Sequence, residues 1–128
     1  MGKFVIRRVE TGIKFDLCAD NGETVAVSEV YSGRAGCLRG IESVRACARL
    51  GRIADLTLND ENRPTNPRFE IFRDRRGDHR FRLRSRNGKV IACSEPYKSK
   101  SACISGVECI LAIAPDAAIK EDLSDPAG

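Results

Sequence analysis

Apolar and polar residues alternate in short runs along this chain, and the runs come in two sets. Phe4-Val5-Ile6-Arg7-Arg8 and Ile13-Lys14-Phe15-Asp16-Leu17 change character at every step, as strands with one buried face do. Asn21-Gly22 follows, a pair that predicts the two left-handed residues of a type I′ hairpin turn. A returning strand is expected over 23–29. The same order recurs with strands at 68–72, 80–85 and 89–94, the last two joined through Asn87-Gly88. Each half therefore opens with a three-stranded antiparallel meander. The apolar period then lengthens. Cys37, Ile41, Val44 and Ala48 in the first half, and Cys103, Val107, Ile110 and Ala114 in the second, make stripes at helical spacing. Gly51 and Pro115 are the expected stops. After each helix comes a short extended segment, 53–58 and 118–123, predicted as a fourth strand of each half.

The two sets are a true internal repeat. Asn21 to Tyr31 returns as Asn87 to Tyr97, and the offset of 66 holds through Cys37/Cys103, Gly40/Gly106, Glu42/Glu108 and Ala48/Ala114. Phe4 and Ile6 return as Phe69 and Ile71, with one extra residue in the second loop. The division is one domain over 1–128, made of repeats 1–58 and 68–124 and a polar linker 59–67 that holds Pro64 and Pro67. Halves of about 60 residues would be marginal alone, so a shared core is expected, and with it a monomer or at most a weak dimer. Gly40 and Gly106 fall mid-helix at matching places, each at a cost of about 1 kcal/mol relative to alanine. Close approach of the helix backbone to the sheet, or of one helix to the other, is the expected reason.

Gly2-Lys3-Phe4-x-Ile6, Phe81-Arg82-Leu83-Arg84-x-x-Asn87-Gly88, Ile91-Ala92-x-Ser94-Glu95-x-Tyr97, Gly40-Ile41-Glu42-Ser43-Val44 and Ala114-Pro115-Asp116-Ala117 together resemble the YegP family of small bacterial proteins. The resemblance covers both halves. It implies an α+β fold: two tandem β(3)-α-β units sharing one antiparallel sheet, with exchanged C-terminal strands and a pseudo-twofold axis. It assigns no biochemical role and carries over no catalytic or ligand-binding residue. The chain departs from the family pattern where the first helix ends in Cys47-Ala48-Arg49-Leu50-Gly51, and where Ile113 replaces an asparagine.

Composition narrows the function classes. Apolar residues make up 41% and charged residues 31%, a balance that folds rather than stays disordered. The opening Met1 to Arg7 shows no secretory signal, so a cytoplasmic protein without a membrane association is expected. The six cysteines (18, 37, 47, 93, 103 and 109) form no CxxC pair and no zinc-finger spacing. They read as small buried apolar residues without disulfide or metal, with a redox-sensing thiol as the alternative. Cys37 and Cys103 should be buried, Cys18 and Cys93 more accessible. No cofactor is implied, since no phosphate-binding glycine loop is present.

His79 is the lone histidine and falls in an expected hairpin loop, with no oriented partner or nucleophile spaced to use it. Ser28-Glu29-x-Tyr31 and Ser94-Glu95-x-Tyr97 stand where a strand enters a helix. Without a base or an oxyanion hole in view, they read as hydrogen bonds that fix that corner. No enzyme is expected. The informative asymmetry is a row of arginines. Arg80, Arg82, Arg84 and Arg86 alternate with Phe81, Leu83 and Ser85, so all four should point away from the core, joined by Glu70 and Phe72. The first half has Lys14, Asp16, Cys18 and Asp20 there. From Arg68 to Lys100 the excess is +7 in a chain of net +4. The row suggests an anion strip for RNA or DNA phosphates or another polyanion, with Phe72 free for stacking. An acidic protein partner, or an inert solvated face in a structural or interaction module, are the alternatives.

Overall fold

The computed structural model describes residues 2–124. Strands β1 (Lys3–Val9), β2 (Gly12–Cys18) and β3 (Thr24–Ser28) lead into helix α1 (Arg34–Leu50) and strand β4 (Ile53–Asp55). Strands β5 (Arg68–Arg73), β6 (His79–Arg84) and β7 (Val90–Cys93) lead into α2 (Lys100–Ile113), a single 3-10 turn (Ala114–Asp116) and β8 (Ala118–Asp122). All eight strands form one sheet in the order β4-β5-β6-β7-β3-β2-β1-β8. Exchanging the repeats reverses this order onto itself. Val27 and Cys93, equivalent under the offset of 66, pair with each other, so the pseudo-twofold passes between them.

The strand exchange is explicit. β4 pairs with β5 of the second repeat, Ile53 opposite Phe69, and β8 pairs with β1 of the first, Lys3 opposite Ala118. Both pairings are parallel. The sheet is therefore mixed, not wholly antiparallel, because a strand that follows a crossover helix enters from the far end of the sheet. The same residues on each exchanged strand are tied to a helix start: Arg34 pairs with Glu121, and Lys100 with Asp55.

Both helices cover one face. Phe4, Ile6, Phe15 and Leu17 from one repeat and Phe69, Ile71, Phe81 and Leu83 from the other form a single buried cluster with Ile41, Val44, Val107 and Ile110. Gly51 ends α1 in the left-handed region at φ 62°, and Pro115 follows α2 in the 3-10 turn. Ser99 caps α2, accepting from the amide of Ala102 at 3.1 Å.

The hairpin turns differ from expectation. Gly22 and Gly88 have φ of 87° and 84°, but no residue other than glycine has a positive φ among those described, which excludes type I′. The amides of Gly22 and Gly88 donate to Ala19 and Ser85, and the next residue closes a bulge. These are three-residue loops of a type I turn followed by a left-handed glycine. Gly77, at φ 84°, closes the β5–β6 hairpin in the same way, its amide donating to Asp74.

The mid-helix glycines accommodate a tyrosine. After β3 the chain leaves the ladder for Glu29 and Val30, then rejoins it where Tyr31 exchanges backbone hydrogen bonds with Ile13 at 2.7 and 2.8 Å. The Tyr31 ring stacks on Phe15 at 6.3 Å and slides beneath α1. A Cβ at Gly40 would stand 2.6 Å from its Cζ. Tyr97 on Phe81 repeats this at Gly106, at 3.0 Å. Of the two expected reasons, approach to the sheet side is the observed one.

Candidate anion-binding face

The serine corners are structural, as read from sequence. Ser28 Oγ accepts from the Phe15 amide at 2.9 Å and donates to the Glu29 carbonyl at 2.8 Å. Ser94 does the same with Phe81 and Glu95 at 3.0 and 2.8 Å. Each hydroxyl stands in for the backbone acceptor that the departing chain removes, so its proton and one lone pair are committed. His79 lies at the start of β6 rather than in the loop, because it pairs with Tyr97 across the ladder. Its Nδ1 is buried and has no hydrogen-bond partner among the described residues.

All six cysteines are free thiols. Cys37 and Cys103 are fully buried, and burial pushes both up to about 11. Cys47 is pushed up to about 12 by burial. Cys93 is half-buried, but Cys18 is not the accessible thiol expected, being only 8% exposed. A bulge between Leu17 and Cys18 brings its Sγ 3.8 Å from the Thr24 hydroxyl. No group of three His, Cys, Asp or Glu able to hold a metal stands together among the described residues.

The other face of the sheet carries the arginines. Arg80, Arg82 and Arg84 do leave β6 on the side away from the helices, since Phe81 and Leu83 are fully buried. Register places Glu70 opposite Arg82, Phe72 opposite Arg80, and Arg68 opposite Arg84. The row is not a free strip. Arg82 Nε and Arg84 Nε each donate to Glu70 Oε1 at 2.7 Å, and Arg68 donates to Oε2 at 2.6 and 3.0 Å. Glu70 is left only 2% exposed on a face open to solvent. Burial alone would raise its carboxyl, but hydrogen bonds from Arg82, Arg84 and Arg68 outweigh it and hold the group at about 2.

Arg80 is held too, donating to the Ser94 carbonyl at 2.9 Å. Phe72 is not a free stacking platform: the Arg82 guanidinium lies 4.4 Å over its ring. Arg86 is not in the row. A bulge falls between Leu83 and Arg84, where β6 ends, and Arg86 lines a small cavity with Glu42 and Pro67. The face therefore presents three guanidiniums fixed around one carboxylate, net +2 for that group, with Arg80 beside it. Sequence phase found the face. It missed Glu70 as an organising centre, and the signal was available: an acid on β5 among Arg68, Arg82 and Arg84.

A family profile described as a domain of unknown function, DUF1508, matches residues 12–55 and 74–121. The chain belongs to the DUF1508 family. The two matched segments fall one in each repeat, so the tandem form is shown by both fold and family. A UPF0339 protein of Stutzerimonas stutzeri is 31% identical over 121 residues, covering 94% of this chain and 96% of that protein. One from Treponema denticola is 50% identical over 54 residues, covering 93% of that protein but 42% of this chain. That relative is thus about one repeat long. The solution structure of yegP from E. coli, a protein of unknown function, superposes with a TM-score of 0.80 at 23% identity, over 98% of this chain and 96% of that one. Among DUF1508 relatives this likeness supports the fold alone. No helix among the described residues is long and apolar enough to cross a membrane.

Proposed function

We propose that this DUF1508 protein is a cytoplasmic, monomeric binding module without catalysis of its own, and that its second repeat engages single-stranded nucleic acid across the open sheet face. The observation that supports this reading is Glu70. One buried carboxylate holds Arg68, Arg82 and Arg84 through short hydrogen bonds and leaves the cluster net positive. Guanidiniums fixed in advance lose less freedom on meeting a phosphate than free side chains do. The Arg82 guanidinium, 4.4 Å over the Phe72 ring, adds a cationic surface for an unpaired base. An open sheet face with such groups is a known mode of reading single strands.

The test is salt-dependent binding to a single-stranded oligonucleotide. Contacts from Arg80, Arg82 and Arg84 give a slope of about −2 in log affinity against log salt, taking about 0.7 per contact. Raising salt from about 50 to 200 mM then lowers affinity about 20-fold. The variant E70V/R82S/R84S should stay folded, because the first repeat folds with Val5, Asp16 and Cys18 at those places. It should lose about 1.4 of that slope. A wild-type protein that binds no polyanion at low salt, or a variant with an unchanged slope, overturns the reading. Binding to acidic protein but not to oligonucleotide would move the module to the alternative class of protein-interaction scaffold.

A further inference from the structure

The helix-bearing side of the sheet holds a separate groove of about 760 Å³ between the two repeats. One wall is α1, with Arg39, Gly40 and Ser43 above the Tyr31 ring; the other is the β6–β7 hairpin, with Asn87 and Lys89. Its volume is that of a small-molecule site. Arg39 and Lys89 are exposed and have no ion-pair partner among the described residues. The Tyr31 hydroxyl lies against Gly40 and makes no hydrogen bond among them either. A Cβ at Gly36 would stand 3.4 Å from the Tyr31 ring and 3.8 Å from the Arg39 guanidinium. Glycine there keeps the space between ring and cation open.

The pseudo-twofold supplies an internal control. Under the offset of 66, Tyr97 and Gly106 reproduce Tyr31 and Gly40, with the same tyrosine beneath the helix. Asn21 and Glu95 also reproduce Asn87 and Glu29, but the cations and the serines are not reproduced. Ser105 stands for Arg39, Cys109 for Ser43, Ala19 for Ser85, and Glu23 for Lys89. Burial pushes the Tyr97 hydroxyl up first of all, then the neighbouring Cys103 and Cys109, with Glu23 and Glu95 adding to it. Folding requires the tyrosine and the glycine, since both repeats keep them. It does not require the cations, since the fold carries Ser105 and Glu23 at their counterpart positions.

We propose that the groove between α1 and the β6–β7 hairpin binds a small organic phosphate, held between Arg39 and Lys89 and read at its hydroxyls by Tyr31, Ser43 and Asn87. Phosphate fits better than a lone carboxylate. Glu29 lines the same groove and offsets one cation, so a group near −2 at neutral pH gains more than a group at −1. Ser43 and Asn87 are neutral hydrogen-bonding groups, and Val90 and Ile91 supply an apolar wall for the body of the molecule. The site draws on both repeats and shares Arg84 alone with the outer cluster; its test leaves Arg84 and Glu70 in place, so its failure and the failure of the outer-face reading are distinguishable.

The test is an NMR titration of the whole protein with AMP, glucose 6-phosphate, inorganic phosphate and acetate. Saturable shifts at Tyr31, Gly40 and Asn87 with AMP or glucose 6-phosphate are expected, with inorganic phosphate weaker. R39S/K89E installs the residues found at the counterpart positions, Ser105 and Glu23, and should keep the fold while lowering affinity about tenfold per cation. The reverse change, E23K/S105R, should create a second set of shifts at Tyr97 and Gly106. The proposal is overturned by the absence of saturable shifts with both organic phosphates, by acetate binding as tightly as they do, or by unchanged affinity in R39S/K89E.

Discussion

In the first repeat β1 carries the cation and β2 the carboxylate: Arg7 Nε donates to Asp16 at 2.8 Å. In the second repeat the signs are exchanged. Glu70 on β5 accepts from Arg82 and Arg84 on β6, and the places of Val5 and Arg7 are taken by Glu70 and Phe72. The helix-facing sides of the same strands hardly differ. Ser28 and Ser94, Tyr31 and Tyr97, Gly40 and Gly106 make matching contacts with near-equal distances. Two copies of one fold thus separate what packing demands from what it leaves free. Serine, tyrosine and glycine at the corner are demanded. The outer charges are not, and only one repeat gathers them into a cluster.

The largest expected effect tests the demanded side. Gly40→Ala and Gly106→Ala each place a Cβ within 3.0 Å of a tyrosine Cζ. That overpacking outweighs the gain in helix propensity, so each should lose about 2 to 3 kcal/mol in urea denaturation. The two losses should agree. If only one glycine mattered, the repeats would not share the corner as a structural requirement.

Next is the outer cluster. Glu70→Gln leaves Arg68, Arg82 and Arg84 around a neutral amide and should cost about 2 kcal/mol. The pH dependence gives its sign. A carboxyl held at about 2 in the fold, against 4.5 when free, contributes stability that is present above pH 4.5 and is lost as pH falls towards 2. Wild type should therefore weaken more steeply than Glu70→Gln across that window, as followed by circular dichroism. Equal slopes would mean that Glu70 titrates normally and organises nothing.

The smallest effect belongs to the first repeat's counterpart. Arg7 and Asp16 keep 40% and 17% of their side-chain surface in water, so Arg7→Ala should cost at most about 1 kcal/mol. A cost equal to that of Glu70→Gln would erase the distinction between the two faces.

The repeat, the strand phases and the helical stripes were legible because they are local and periodic: Phe81 and Leu83 had to face the core whatever lay across from them. The exchange of β4 and β8 followed from the family resemblance rather than from any residue of those short strands. The fate of the arginines was not legible in the same way. Glu70 is buried by residues 12 and 14 positions away, and cross-strand register decides whether they meet. Bulges after Leu17 and Leu83 carry no apolar signal, so Cys18 was expected in the open and Arg86 in the row. The Asn-Gly pairs marked the turns correctly but not their type, which one additional loop residue decides.

The parallel partnership of β1 with β8 also has a temporal side. Lys3 meets Ala118, so 115 residues of translation separate the two halves of that ladder. While the ribosome is still making the second repeat, the first can complete its hairpins and helix, but its β1 edge stays open. The opposite edge does not wait in this way, since β4 is already made when β5 emerges. Vectorial synthesis thus leaves the N-terminal unit as the last to close, and a nascent chain halted before Ala118 would display a bare strand edge to other chains.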